Sequence, residues 1–491
     1  MNNFITLIPL IIFIISMMAI GFYVNKKRET GDGFSKDYYI GGRSLGGFTL
    51  AMTLIATYGS VSSFVGGPGM AWKVGFGWVY YSSIQIACAY LVLGVFGKKL
   101  ALIARKIDAV TIPDLIRHRY SSNFLATISA IIIVIFFMTT MVAQFIGGAK
   151  LFEAATGYSY IIGLIIFGIA TIIYTSVGGF KAVAITDTCC AVIMILGTII
   201  LAAGVINYGG GLSNIMTLIE TNYQTHLDPL SHENLNIPLF IGGWFLVGFC
   251  LLGLPQSVVR CFSYKDTKSV HRAMIYGTVC LGIMVIGMHI IGVLSTAVIT
   301  DTSISDVDSI MPMTIMKTLP KFLAGIAICG PLSASMSTTS SLLIAASSSI
   351  VKDIYLHSKE TQKKHIDYGK VSVFSTIVTF IIGLIVFFIA IKPPSVIVWI
   401  NLFAFGGLEA SFFWVFYLGM FWTKANKMGA KLCMIGGSLL YIIFGALKVN
   451  IMVLHNIVWA IIFGLILFII GSMMGDRPSK EIMRIYFPEK I

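Results

Sequence analysis

The sequence predicts an all-α polytopic membrane protein with about 13 transmembrane helices. Three observations lead there. Of the 491 residues, 57% are hydrophobic and only 11% are charged, where soluble domains carry about 25% charged residues. Apolar stretches of about 20 residues, enough to cross a bilayer, recur along the whole chain. Lys and Arg are also divided very unequally between alternate connections, as the positive-inside rule requires of a multi-span protein.

The first span, "FITLIPLIIFIISMMAIGFYV" (4–24), follows no basic residue, exceeds the length of a signal-peptide core and lacks a small-residue cleavage site, so it reads as a retained helix. Further spans are expected near 46–72, 75–97, 123–149, 159–176, 182–207, 237–259, 273–299, 322–350, 371–391, 395–422, 432–449 and 451–475. The connections are short, leaving no room for an appended sensor or enzyme module. With the N-terminus outside and the C-terminus cytoplasmic, 28 of the 34 Lys and Arg lie on the cytoplasmic side. The other six are Lys73, Lys150, Lys317, Lys321, Lys392 and Lys448. The net charge of +13 is therefore topogenic, facing membrane lipid and cytoplasm, and does not point to nucleic acid. The eight cysteines are scattered through apolar segments and read as reduced packing residues. No nucleophile–base set or metal-ligand cluster suggests an enzyme. His289 and His455 are isolated and read as hydrogen-bonded packing residues.

Two carboxylates lie deep in apolar segments, Asp187 in "AVAITDTCCAVIMILG" and Glu409 in "WINLFAFGGLEASFFWVFYLG". Such groups cost several kcal/mol in hydrocarbon and mark function by default. In the second span, "ATYGSVSSFVGGPG" puts Gly, Ser and Pro at mid-membrane depth. Two readings stand: a small-residue packing face, or a broken helix whose freed carbonyls can hold a small cation. In the ninth span, "SASMSTTSSLLIAASSSIV" carries ten hydroxyls in nineteen residues. Ser333, Ser337, Ser340 and Ser341 share a helix face, with Thr338 beside them. Packing and back-bonding to the helix account for a few such hydroxyls; beside a broken helix, the stripe reads as half of a Na⁺ site. Tyr58, Ser60 and Ser63 follow the break, and Gln85 and Gln144 are lone amides in apolar spans. These five, with Glu409, are the candidate substrate contacts, each with helix–helix hydrogen bonding as its alternative.

"DYYIGGRSLGGFTLAMTLIATYGSVSSFVGGPG" and "SASMSTTSSLLIAASSSIVKDIY" resemble the two sodium-binding helices of the sodium:solute symporter family; "YTSVGGFKAVAITD" and "VRCFSYKD" also fit. The resemblance implies two inverted five-helix repeats, opened by discontinuous second and seventh spans. The corresponding division is 1–45, 46–236, 237–422 and 423–491. It also implies Na⁺ as coupling ion, no other cofactor, and a location in the plasma membrane. Carried over by position, Ala56, Gly59 and Ala334 would offer carbonyls to one Na⁺, and Ser337 and Thr338 would offer hydroxyls. A second Na⁺, found in some members, would take Asp187, Ser340 and Ser341. "FIGGAKLFE", "GLPQSVVRCFSYKDTKSVHR" and "WINLFAFGGLEA" resemble the pantothenate-importing branch. Tyr58 stands where the proline branch has Asp, and Cys250-Leu251 where sugar carriers have aromatic residues. The implied function is Na⁺-driven import of pantothenate. Sialic acid, proline or another monocarboxylate are alternative substrates, and a channel or transport-like sensor is the rival class.

Overall fold

The computed structural model describes residues 4–26, 38–230, 235–362, 367–393, 397–449 and 451–490. Within them the chain is helical, apart from turns and one isolated bridge between Leu45 and Tyr264. Hydrocarbon offers no water to satisfy backbone N–H and C=O groups, so an apolar chain of this kind closes its hydrogen bonds within helices.

By length and composition, ten of the described helices can cross a membrane, and two bent pairs bring the count to 12. The first is α1 (Phe4–Val24). A bent pair follows, α2 (Gly47–Tyr58) and α3 (Ser62–Val74), at 70°. After α4 (Phe76–Lys106) comes a short helix, α5 (Ile112–Tyr120), and then α6 (Asn123–Thr156). Tyr160–Tyr208 has 49 residues, about 74 Å at 1.5 Å each, more than twice the hydrocarbon thickness. It is two helices, α7 and α8, joined at Gly179, where φ is +65° and ψ is −174°. A Cβ at Gly179 would also lie 2.6 Å from the Tyr38 ring, so the turn needs glycine for both conformation and space. Divided there, the described spans number thirteen, as the sequence predicts.

The second half opens with another bent pair, α9 (Ile237–Gly253) and α10 (Pro255–Phe262), at 46°. Pro255 explains this break: the residue before proline is pushed out of helical space, and Leu254 sits at φ −85°, ψ 107°. Then come α11 (Thr267–Ala297), α12 (Lys321–Thr361), α13 (Gly369–Ala390) and α14 (Ile397–Phe421), followed by α15 (Lys427–Ala446) and α16 (Asn456–Met474). Each bent pair therefore begins a set of five spans. Five is odd, so the second set enters from the opposite face and the repeats are inverted.

Two helices outrun their expected ends. α4 continues to Lys106 and α12 to Thr361, well past 97 and 350. Sequence reading stops a span where charge begins, but helical hydrogen bonding continues into the interface once an apolar face packs. Leu100, Ala101, Ile103 and Ala104 supply that face in α4. α12 is the most enclosed span, with 83% of its apolar window buried. A helix surrounded by other helices can carry hydroxyls that lipid would reject, which accounts for the serine-rich stretch.

Candidate functional site

The break after Tyr58 frees carbonyls that a continuous helix would satisfy. Ser337 and Thr338 of α12 face them. The Ser337 hydroxyl lies 2.9 Å from Ala56 O, 2.8 Å from Ser333 O and 3.3 Å from Ala334 O. The Thr338 hydroxyl lies 3.3 Å from Ala56 O, 3.4 Å from Thr57 O and 3.5 Å from Gly59 O. Each hydroxyl has one proton and can donate it to one carbonyl at a time. The cluster is thus rich in oxygen and poor in donors, and it is buried: Ala56, Ala334 and Ser337 are 0% exposed and Thr338 3%. Such a set suits a small monovalent cation held by hard oxygen ligands. The fold brings together all five residues expected at the first ion position and adds Thr57 O.

The second expected ion position is built differently. Asp187 Oδ2 accepts from the Thr53 hydroxyl at 2.6 Å and the Ser341 hydroxyl at 3.2 Å. Arg260 of α10 reaches the same oxygen at 3.8 Å. Its guanidinium donates to Thr57 Oγ1 and Ser341 Oγ, both at 2.5 Å, and stacks 4.7 Å from the Phe180 ring centroid. Asp187 was expected at a second Na⁺ position without a charged partner; the structure sets a buried guanidinium beside it, while Asp187 Oδ1 keeps no hydrogen-bond partner. Ser340 is turned away, donating to Ser337 O at 3.0 Å. Arg260 was assigned by sequence to a cytoplasmic connection. Its presence in "VRCFSYKD" marks the residue, but no local pattern reveals a partner so distant in the chain.

Beside the first cluster lies a cavity of about 40 Å³, well below the roughly 300–1,000 Å³ of small-molecule sites, so its walls must part to admit a substrate. Tyr58, Ser60, Ser63 and Gln85 line it, as expected, and the Tyr58 hydroxyl donates to Gln85 Oε1 at 3.2 Å. Gln144 does not line it. Its Oε1 takes the Val61 N–H at 2.9 Å, bracing the broken backbone, so its helix–helix alternative holds. Trp78, Tyr81, His289 and Asn401 line the cavity and were missed or read as packing. Nothing in a lone Trp or Asn signals a cavity; the break and the neighbouring helices create it. His455 does have a structural role, its Nδ1 accepting the Ile457 N–H at the start of α16.

Glu409 is not among the cavity-lining residues either. It is fully buried one turn beyond Phe405, and neither carboxyl oxygen has a protein partner. Gly253 packs so closely that a Cβ there would lie 3.0 Å from Glu409 Cα. Glu409→Gln keeps the volume and removes the charge, whereas alanine opens a void. Uptake is expected to survive glutamine and to fall at least tenfold with alanine. Indifference of both uptake and folding to the two changes would remove Glu409 from the functional core.

Inverted five-helix halves, each opened by a broken span, with an oxygen cluster and a cavity at one break, define a secondary active transporter. The chain belongs to the sodium:solute symporter family, whose profile matches residues 38–437; it is a transporter and not an enzyme. It is 43% identical to a sodium/pantothenate symporter of Haemophilus influenzae, over 97% of each chain. It is 41% identical to that of Escherichia coli, over 96% of each, and 28% identical to the Escherichia coli sodium/proline symporter, over 97% of this chain and 95% of the other. In fold it is similar to a Na⁺-coupled sialic acid symporter, with TM-score 0.76, 19% identity and coverage of 97% of this chain and 99% of that one. Mhp1, a nucleobase-cation-symport-1 transporter, has TM-score 0.57 at 14% identity, over 91% of this chain and 97% of that one.

Proposed function

We propose that the protein imports pantothenate across the plasma membrane together with Na⁺, by alternating access. The observation that carries this is the donor-poor oxygen cluster joining α2 to α12 directly beside the cavity. The names of the two relatives above 40% identity support the substrate. In this reading Ala56, Gly59, Ala334, Ser337 and Thr338 hold Na⁺ arriving from outside. The ion ties α12 to the broken span and stabilises the form that receives substrate. Low cytoplasmic Na⁺ then releases the ion, and the tie with it. Residues 46–236 and 237–422 are the halves that move against each other, with the N-terminus outside and the C-terminus in the cytoplasm.

The inner end of α12 is fastened too. Asp353 accepts from the Thr111 hydroxyl at 2.6 Å, and Lys352 pairs with Asp114 at the first turn of α5. A shift of α12 on ion loss therefore reaches the cytoplasmic face.

In this reading the Arg260 guanidinium beside Asp187 leaves one Na⁺ to accompany one pantothenate anion. That cycle moves no net charge, so the roughly 2.3 kcal/mol per charge that 100 mV provides does not contribute. Proteoliposomes with an inward Na⁺ gradient test the reading. Labelled pantothenate is expected to accumulate, while proline, sialic acid, glucose and iodide do not. Counterflow by unlabelled pantothenate separates a carrier from a channel. Accumulation of another solute in place of pantothenate overturns the substrate assignment.

A further inference from the structure

The cavity poses an electrostatic problem that follows from the function proposed above. The substrate is a carboxylate, yet no Lys or Arg is among the residues that line the cavity. An anion moved from water into a closed site needs compensating charge or hydrogen bonds.

The polar atoms without partners sort by position. Trp78, one turn into α4, is 4% exposed and its indole N–H has no acceptor. Ser62, at the first turn of α3, is 8% exposed and its hydroxyl is also unpartnered. Asn401, near the start of α14, is 4% exposed with its amide oxygen free. All three line the cavity. His289 joins them. Its Nδ1 lies 2.7 Å from Val285 O, and since a carbonyl only accepts, Nδ1 carries the proton there. The neutral ring then presents Nε2 as an acceptor, close against Gly67. The Trp78 ring lies 6.4 Å from Trp399, two residues before Asn401, and Gly66 and Gly67, one turn beyond Ser62, pack against Val398 and His289, so two donors, Trp78 and Ser62, and two acceptors, Asn401 and His289, lie towards one end.

The opposite end is different. There Tyr58 and Gln85 are already bonded to each other, and the Tyr58 and Phe405 rings lie 6.2 Å apart. Glu409 follows Phe405 by one turn, about 6 Å along α14, and Asn401 by two turns, about 12 Å. A carboxylate bound at this end would sit nearest another carboxyl group. One bound beside Trp78 sits farthest from it.

We propose that pantothenate binds with its carboxylate at the Trp78 end, held by the Trp78 indole N–H and the Ser62 hydroxyl rather than by an ion pair. The adjoining amide N–H is taken by Asn401 Oδ1 or His289 Nε2. The hydroxyls at the far end of the substrate reach the Tyr58–Gln85 pair. The lengths agree. From carboxylate to terminal hydroxyl is about nine bonds, the reach of three extended residues, roughly 10 Å. Trp78 and Gln85 are seven residues apart on α4, also about 10 Å. Uncharged recognition also suits release, because no buried cation is left unpaired when the substrate departs.

Trp78→Phe tests this. It keeps an aromatic ring against Tyr81, whose ring is stacked 4.7 Å away, and removes only the N–H. The probes are labelled pantothenate and the alcohol analogue in which CH₂OH replaces the carboxylate. The KM for pantothenate is expected to rise about tenfold, the loss of one hydrogen bond to a charged group, while inhibition by the alcohol changes less than twofold. Ser62→Ala should act in the same direction by threefold or more, and serves where Trp78→Phe fails to fold. An unchanged KM, or equal weakening of both ligands, overturns the assignment and leaves Trp78 a packing residue. Uptake of no pantothenate by the unaltered protein overturns the functional reading and this inference with it. Normal uptake that both variants leave untouched overturns only the inference.

Discussion

Alanine at Asp187 or at Arg260 is expected to destabilise the protein by about 3–5 kcal/mol, the cost of leaving one member of a buried ion pair alone. Asp187 is 0% exposed and Arg260 2%, so no water replaces the missing partner. The pair also fixes geometry. Asp187 lies on α8, Arg260 on the second half of a broken span, and the hydroxyls between them, Thr53, Thr57 and Ser341, come from α2 and α12. Losing either charge therefore loosens four elements at once. The double variant removes both charges together and is expected to be less destabilised than the two single changes added, by at least about 1 kcal/mol of coupling. Thermal unfolding in detergent of the four proteins measures this. Additive losses would show that Asp187 and Arg260 act independently, and would favour Asp187, Ser340 and Ser341 as a second Na⁺ position.

Ser337→Ala and Thr338→Ala should each raise the Na⁺ concentration for half-maximal uptake several-fold. One ligand of about five is lost in each, on the order of 1–2 kcal/mol. Neither hydroxyl is needed for its helix, so expression should remain near normal. Thr338→Ser keeps the oxygen and should keep most of the Na⁺ affinity, which separates coordination from packing. In the unaltered protein, activation by Na⁺ is expected to be hyperbolic, with one ion per pantothenate in a ²²Na flux ratio. Sigmoidal activation would mean a second ion despite Arg260. Unchanged activation in both alanine variants would return Ser337 and Thr338 to a packing role.

Much of this was legible in the sequence, and particular residues show why. The spans were legible because transfer into lipid is a local property of some twenty consecutive residues. The breaks at Gly59 and Leu254 were legible because Gly and Pro act on their own backbone. The broken helix and the hydroxyl stripe were legible by themselves, but Ala56, Gly59, Ala334, Ser337 and Thr338 were singled out only through the resemblance to the symporter family. The cavity was only half legible. Tyr58, Ser60 and Ser63 follow a visible break, but Gln85 and Gln144 are indistinguishable as lone amides. The structure sends Gln85 to the cavity and Gln144 to the Val61 N–H.

By itself, then, the sequence determined what depends on near neighbours: thirteen spans, two broken helices, a serine-lined face and two carboxyls too deep for lipid. The tertiary structure alone decided which groups meet across the bundle. It set a guanidinium beside Asp187, left Glu409 without a hydrogen-bond partner, and brought Trp78, Ser62, Asn401 and His289 to one cavity. The reason is physical. Coulombic and hydrogen-bond partners are chosen by distance in space, and in a bundle of inverted repeats the closest groups come from spans far apart in the chain.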